Sequence, residues 1–339
     1  MNQYSIPETD QRCFLQWLVS IVVVVFLSQN CALGIDTNSA RHVQLRAELQ
    51  VRPGHSGGQI RIWIPIPQSS SIQTVTQEVK HESLPLRRST DKRFGNSMLY
   101  GRGPISKAEV LNFEIVWHVT RQESRADGEQ DVRVLSDETR TLWMTGSKKV
   151  PIGGRPLELI DAAKLPVNSR DRAHVFYHRV LDHLSYDKSR PGYGTGDAVW
   201  ACESRFGNCT DFHSLFMSLA RSHNIPARFE IGYSLPRDKK PGSLSGYHCW
   251  AWFFENRNGW TPVDISEAEK NPKQVEYCFG NLSADRVGFS VGRDLILAPP
   301  QQGPPLNYFV KPHVEKDGKP VDDFDFSLSF LDVDIAVPE

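Results

Sequence analysis

The chain lacks several features that would decide its class at once. It has no basic surplus: 39 Lys and Arg stand against 40 Asp and Glu. That balance excludes a protein built mainly around electrostatic nucleic-acid binding. It has no paired Cys-x₂₋₄-Cys spacing of the kind a structural zinc site uses. No internal repeat and no low-complexity tract interrupts it, and 22 Pro and 24 Gly in 339 residues exclude collagen-like and wholly disordered chains. The apolar stretch Phe14–Leu27 is shorter than the 18 or more residues expected of a spanning helix. What remains is a globular chain of roughly two domains, long enough to bury a core without disulfide staples.

That short apolar stretch fits the hydrophobic region of a secretory signal, and Ala32-Leu33-Gly34 supplies small residues for cleavage before Ile35. Residues 1–34 therefore read as a signal peptide and the protein as exported, periplasmic or extracellular. Glu8 and Asp10 beside Arg12 leave the leading segment without its usual positive charge, so an uncleaved membrane anchor is the rival. Cleavage would remove Cys13 and Cys31 and leave Cys202, Cys209, Cys249 and Cys278. If Cys209 stays a thiol, one disulfide among Cys202, Cys249 and Cys278 is open to an exported chain; three small buried residues are the alternative.

Residues 35–150 read as an all-β, sandwich-like domain. Val43, Leu45, Ala47, Leu49 and Val51 alternate with polar residues, as do Ile60–Ile66 and Leu111–Val119. Pro65 and Pro67 place the second run at a sheet edge. Arg87–Arg93 reads as a solvated loop. Val150–Pro156 is a Pro/Gly linker, after which the period changes. Ser169 caps a helix carrying Ala173, Phe176, Val180 and Leu184, and a short helix is expected over 198–204. Asn208 caps another, ended by Asn224 and Pro226, with Phe212, Leu215, Phe216 and Leu219 on one face. Strands follow around Phe229–Tyr233, Tyr247–Phe254 and Trp260–Ile265, the last two joined by the Asn256–Gly259 turn. Residues 151–312 are thus an α+β domain, a helix beside an antiparallel sheet. Residues 313–339, with a Lys316-Asp317-Gly318 turn, read as a terminal hairpin that completes a sheet.

The chemistry sits at the second of these helix starts. Cys209 falls in the first turn, where unpaired backbone N–H groups and the helix dipole favour an anion. A thiol there, beside a histidine, drops from a pKa of about 8.5 toward roughly 3.5–7.5 and becomes nucleophilic. The competing role is a small residue packed beneath the Gly207 turn. His248 and Asp264, on the two strands joined by the turn, can supply a base and a carboxylate that orients it. His213, one helical turn beyond Cys209, competes as base. Cys249 points to the strand face opposite His248, which argues against a direct role. Arg286, Arg293 and Asp294 read as structural ion pairs.

Four blocks, Gly207-Asn208-Cys209-Thr210-Asp211, Asn224-Ile225-Pro226-Ala227-Arg228, Tyr247-His248-Cys249-Trp250 and Gly259-Trp260-Thr261-Pro262-Val263-Asp264, resemble the transglutaminase-like superfamily in order and spacing. Flanking segments around Phe212–Phe216 and Val291–Leu295 resemble a bacterial branch of it. The resemblance implies a papain-like core in which Cys209 is the nucleophile, His248 the base and Asp264 the orienter, with no metal or cofactor. It implies acyl transfer or hydrolysis through a Cys209 thioester on a protein or peptide substrate. Two other classes stand beside it: a non-catalytic envelope scaffold retaining the fold, and a zinc site drawn from Cys202, Cys209, His213, His248 and Cys249.

Overall fold

Alternation along the first strand decides the first half of the molecule. In β1 (Arg41–Val51) every odd position from Val43 to Val51 is buried, while the even ones face outward or are half-covered. The period-two pattern places one face of the strand in a core and leaves the other wet. The structure, a computed structural model, describes residues 40–52, 54, 56–126 and 134–333, all within the unit Ile35–Glu339. The segment read as a signal peptide, with Cys13 and Cys31, lies outside the described residues. Among those residues no helix is long and apolar enough to cross a membrane.

Five further strands follow: β2 (Gly58–Pro65), β3 (Gln73–Glu82), β4 (Leu86–Thr90), β5 (Ser97–Ile105) and β6 (Leu111–Arg121). A short helix, α1 (Asp137–Met144), comes next, capped by the Ser136 side chain. The second half contains α2 (Ser169–His183), α3 (Ala198–Ser204), α4 (Cys209–Ser222), β7 (Ala227–Ser234), β8 (His248–Glu255), β9 (Gly259–Val263), α5 (Ile265–Lys270) and β10 (Arg286–Val291). Strands β11 (His313–Lys316) and β12 (Phe324–Asp332) close the described chain.

Three antiparallel sheets organise these elements. In the first, β12, β1, β6 and β3 lie side by side, with the two-residue strand Gly242–Ser243 outside β12. In the second, β11, β2, β5 and β4 follow one another, with Lys319–Pro320 outside β11. The inward residues of both, Leu45 and Trp117 from one and Ile62 and Leu99 from the other, belong to a single hydrophobic core. The third sheet runs β9-β8-β7-β10, and α4 packs on β8 and β7. That helix is buried from Cys209 to Arg221, on every side, beneath α2 and α3 as well as the sheet. The same core continues through Phe212, Phe216, Phe229 and Phe253, so the β-rich part and the helix-bearing part share apolar packing.

Several expectations are corrected. Strand β2 is interior, between β11 and β5; Pro65 is its last residue, where a missing N–H leaves no ladder bond unmade. Leu86–Thr90 is an edge strand, its Arg87 and Arg88 exposed in the manner that discourages further pairing. Asn168 caps α2, its Oδ1 accepting from the Arg170 N–H at 2.7 Å. The C-terminal segment splits between two sheets: β11 lies beside β2, and β12 pairs with β1 from Val43↔Asp332 to Val51↔Phe324. All four described cysteines are free and buried, so the disulfide is not formed.

Gly232 is required where the third sheet bends. Ladder register shifts between Ile231 and Gly232, opposite His248, and a Cβ at 232 would strike the Val287 carbonyl oxygen. Gly232→Ala is therefore expected to separate β7 from β10 and lower the melting temperature by several degrees; an unchanged melting curve would contradict this packing. Removing residues 313–339 is expected to abolish the cooperative thermal transition, because β1 then loses one of its two neighbours, β12, and β2 loses β11, leaving both as uncovered edges. Retention of a sharp calorimetric transition by that truncated chain would show the segment to be peripheral.

Candidate active site

The start of α4 is built from short-range contacts. The Asn208 Oδ1 accepts the Thr210 N–H at 2.8 Å, and the Asp211 carboxylate reaches back to the Asn208 N–H at 2.9 Å. Both orphan-donor problems of a helix N-terminus are thereby met locally. Asp211 also accepts from the N–H groups of Gly194 and Gly196, at 2.6 and 2.9 Å, tying the Pro/Gly loop to the helix. Arg293 fastens that loop from the other side, donating to Gly196 O at 2.9 Å and Ser214 Oγ at 2.7 Å. Cys209 is thus held at the first helical position with only 2% of its surface exposed.

His248 opens β8 and Asp264 follows β9, where it also caps α5 by accepting the Glu267 N–H at 3.2 Å. The His248 Nε2 lies 2.7 Å from Asp264 Oδ2. Its other nitrogen, Nδ1, is left free of Asp264, and the ring is among the groups that lower the Cys209 pKa. Arg286, the first residue of β10, donates through Nε to the same Asp264 oxygen at 3.1 Å. The structure therefore brings Cys209, His248 and Asp264 together, and adds Arg286 behind the carboxylate.

Electrostatics follow from this geometry. A hydrogen bond with Cys249 is the strongest influence holding the Cys209 thiol well below its ordinary pKa; burial opposes it, and His248 adds to it. Burial pulls the His248 imidazole down, but the Asp264 carboxylate outweighs burial and the net shift is upward. Burial also disfavours ionised Asp264, yet His248 and Arg286 hold its pKa far below the carboxylate range. Lowered sulfur beside raised imidazole favours a thiolate–imidazolium pair.

His213 does not compete as the base. It is fully buried, its Nε2 accepts the Ile265 N–H at 3.1 Å, and its Nδ1 lies 2.7 Å from the Cys209 carbonyl oxygen. Because Nε2 must accept, the proton sits on Nδ1, and both nitrogens are occupied by backbone. Burial keeps this ring neutral, with its pKa lowered to about 4. His213 thus pins the end of β9 to the start of α4, fixing Asp264 relative to Cys209.

Cys249 needs reassessment. It does point to the strand face opposite His248, but that face carries α4, so its thiol lies 3.7 Å from His213 Nδ1 and interacts with Cys209. Burial, then the neighbouring sulfur, raises its own pKa well above normal, keeping it a protonated donor. Arg286, expected as a structural ion pair, does form one, but its partner is the candidate site's own carboxylate, Asp264; a charge opening the apolar run Val287-Gly288-Phe289 is the local signal for it. The zinc set is not assembled. Cys202 lies on α3 with its sulfur 3.8 Å from Arg155 O, and His213 has no nitrogen to spare.

Two measurements test these assignments. His213 has a depressed folded pKa, so its stabilising effect is complete above the unfolded value of about 6.5 and disappears as pH falls through about 4. The melting temperature of His213→Asn is expected to fall less steeply than wild type between pH 6.5 and 4; parallel profiles would refute the neutral buried ring. Arg286→Met is expected to raise the His248 pKa further by NMR titration, because the guanidinium charge opposes the imidazolium while Asp264 favours it; an unchanged pKa would remove Arg286 from the site.

Parts of the chain are similar to known proteins. Residues 160–265, which contain α4, His248 and Asp264, match the family model described as the transglutaminase-like superfamily, its core domain. An uncharacterized protein of Haemophilus influenzae (strain Rd) is 27% identical over 319 aligned residues, covering 81% of this chain and 85% of its own. A Cytophaga hutchinsonii crystal structure, described as a candidate cysteine protease, superposes with a TM-score of 0.59 at 13% identity, over 88% of this chain and 93% of the other. The periplasmic domain of TgpA from Pseudomonas aeruginosa gives a TM-score of 0.37 at 14% identity, over 70% of this chain and 91% of that one, too slight a likeness to argue from. Residues 160–265, which match that family model, combine a helix-borne cysteine with an antiparallel sheet in an α+β fold, behind a β-rich N-terminal region.

Proposed function

We propose that this protein is a cysteine enzyme that transfers or hydrolyses acyl groups of a protein or peptide through a Cys209 thioester. The observation that carries the proposal is the 2.7 Å His248–Asp264 hydrogen bond, supported by a Cys209 thiol held well below its ordinary pKa by Cys249 and by that imidazole. In this reading the Cys209 thiolate attacks a carboxamide or peptide carbonyl carbon, and the carbonyl π electrons move onto oxygen. The Cys209 N–H, at the first helical position and so free of any intrahelical partner, donates to that oxyanion. The His248 imidazolium gives its proton to the departing nitrogen as the tetrahedral adduct collapses to the thioester. Water or an amine then attacks the thioester, with neutral His248 accepting the proton. Asp264 holds the ring through Nε2 and stabilises its charged form.

Cys209 is 2% exposed, and the Tyr247 hydroxyl lies 3.4 Å from Thr210 Oγ1 and 3.2 Å from the Tyr308 hydroxyl, placing two phenol rings beside the start of α4. So little exposed sulfur favours an extended chain or a flexible side-chain amide over a folded surface. The proposal includes export, supported by the Phe14–Leu27 apolar run followed by small residues at Ala32 and Gly34.

The deciding experiment incubates the chain from Ile35 onward with a glutamine-containing peptide, with and without a fluorescent primary amine. Amine incorporation identifies a transferase, ammonia alone a deamidase, and a new peptide terminus a protease. Cys209→Ala is expected to cut turnover by about 10⁴-fold or more, and Asp264→Asn by roughly 10³–10⁴-fold. Turnover that survives Cys209→Ala would refute the thioester mechanism, and none in any arm would leave the scaffold role in its place. Iodoacetamide alkylation supplies a pH test: wild type should react below neutral pH, because the sulfur's pKa is lowered. In Cys249→Ala, and likewise in His248→Ala, the midpoint should rise toward the ordinary thiol value of about 8.5. Identical midpoints in all three proteins would sink the ion-pair argument.

A further inference from the structure

The third sheet has a second face, turned away from α4. Arg228 and Glu230 of β7 and Trp252 of β8 lie on it, and with Arg121 from the end of β6 and Trp260 they line a cleft of about 540 Å³. Gln73 closes one side by bridging to β10: its Nε2 donates to Gly288 O at 2.9 Å and its Oε1 accepts the Gly288 N–H at 3.0 Å.

The cleft holds more positive than negative charge. Arg121 is 1% exposed, yet its Nε and Nη2 have no hydrogen-bond partner, and Nη1 makes only a 3.5 Å contact with Gln73 Oε1. Burial pulls the pKa of this guanidinium down to about 10, which still leaves it charged at neutral pH. Arg228 lies over the rings of Trp252 and Trp260, 5.0 and 4.5 Å from their centroids, and its buried Nε is also unpartnered. Glu230 is the single carboxylate in the lining, and its Oε2 already accepts the indole N–H groups of Trp250 and Trp252, at 3.1 and 2.6 Å. Two guanidinium groups thus face one carboxylate, and three buried donors point at no acceptor. Buried N–H groups of a cation are costly without an acceptor, so a site of this kind is complete only when something negative enters it.

From this juxtaposition we infer that the cleft is a second binding site, distinct from Cys209, which takes the carboxylate of a small organic acid or peptide terminus. A guanidinium fork matches a planar carboxylate through two parallel N–H···O bonds. One added negative charge balances the one excess positive charge in the lining. The aromatic walls are kept rigid by the stacked Arg228, so the site is formed before its ligand arrives. This inference does not depend on the chemistry assigned to Cys209.

The test uses N-acetylglycine as the carboxylate probe, N-acetylglycinamide as its neutral counterpart and inorganic phosphate as a second anion. Calorimetric titration and melting temperature are read at constant ionic strength. N-Acetylglycine is expected to bind and to raise the melting temperature with concentration, while the amide does neither. Arg121→Met should bind the carboxylate about tenfold more weakly or worse, while its melting temperature without ligand equals or exceeds that of wild type, since an unpaired buried charge has been removed. Arg228→Gln, at a partly exposed position, should also weaken binding. Equal response to acid and amide, unchanged binding in both variants, or an unliganded Arg121→Met that melts well below wild type would each overturn the inference. Phosphate binding more tightly than the carboxylate would overturn the ligand class.

Discussion

Everything in the site leans on one buried carboxylate. Asp264 Oδ2 receives His248 from one side and Arg286 from another, while Oδ1 caps α5 through the Glu267 N–H. A carboxylate taken out of water this far stays ionised only if cations and donors replace its hydration, and here they do. Its charge raises the His248 imidazole above its ordinary value, and that charge in turn favours an ionised sulfur. The three groups are therefore one electrostatic object assembled from three separate stretches of chain.

The scaffold fixes that object from several directions. Asn208 and Asp211 set the helix start, and Arg293 locks the 194–196 loop against it. His213 spans from the Cys209 carbonyl to the Ile265 N–H, so the helix and the end of β9 cannot drift apart without breaking two buried hydrogen bonds. Cys249 gives the sulfur a further donor from below. Positioning groups of this sort hold a constellation to the tolerance that chemistry demands, and they outnumber the three residues that would meet a substrate.

How much of this the sequence reveals depends on the range of the interaction. The Asn208 cap, the 198–204 helix and the alternation of β1 and β6 are local, and each is legible because side-chain chemistry acts within a few residues. Cys209, His248 and Asp264 stand out because each sits in its own short block. Arg286 does not, since only the β7–β10 pairing carries it to Asp264. Cys249 was misjudged for a related reason: strand alternation gave its direction correctly but did not say that α4 lies on that side. Pro65 misled because a proline at a strand's last residue and one on an edge strand look alike in one dimension. The C-terminal strands read as a hairpin because a turn signal at 316–318 names the bend, not the sheet each arm will join.

The pairing of β12 with β1 bears on when the site can assemble. Arg41, at the start of β1, is clamped between Asp285 and Asp332, contacts 244 and 291 residues away. Long-range closures of this kind form late, after their last contributor is available. The β-rich region that packs against the sheet bearing His248 is thus incomplete until residue 332 has been made, and the electrostatic surroundings that lower the Cys209 pKa form only with the folded chain.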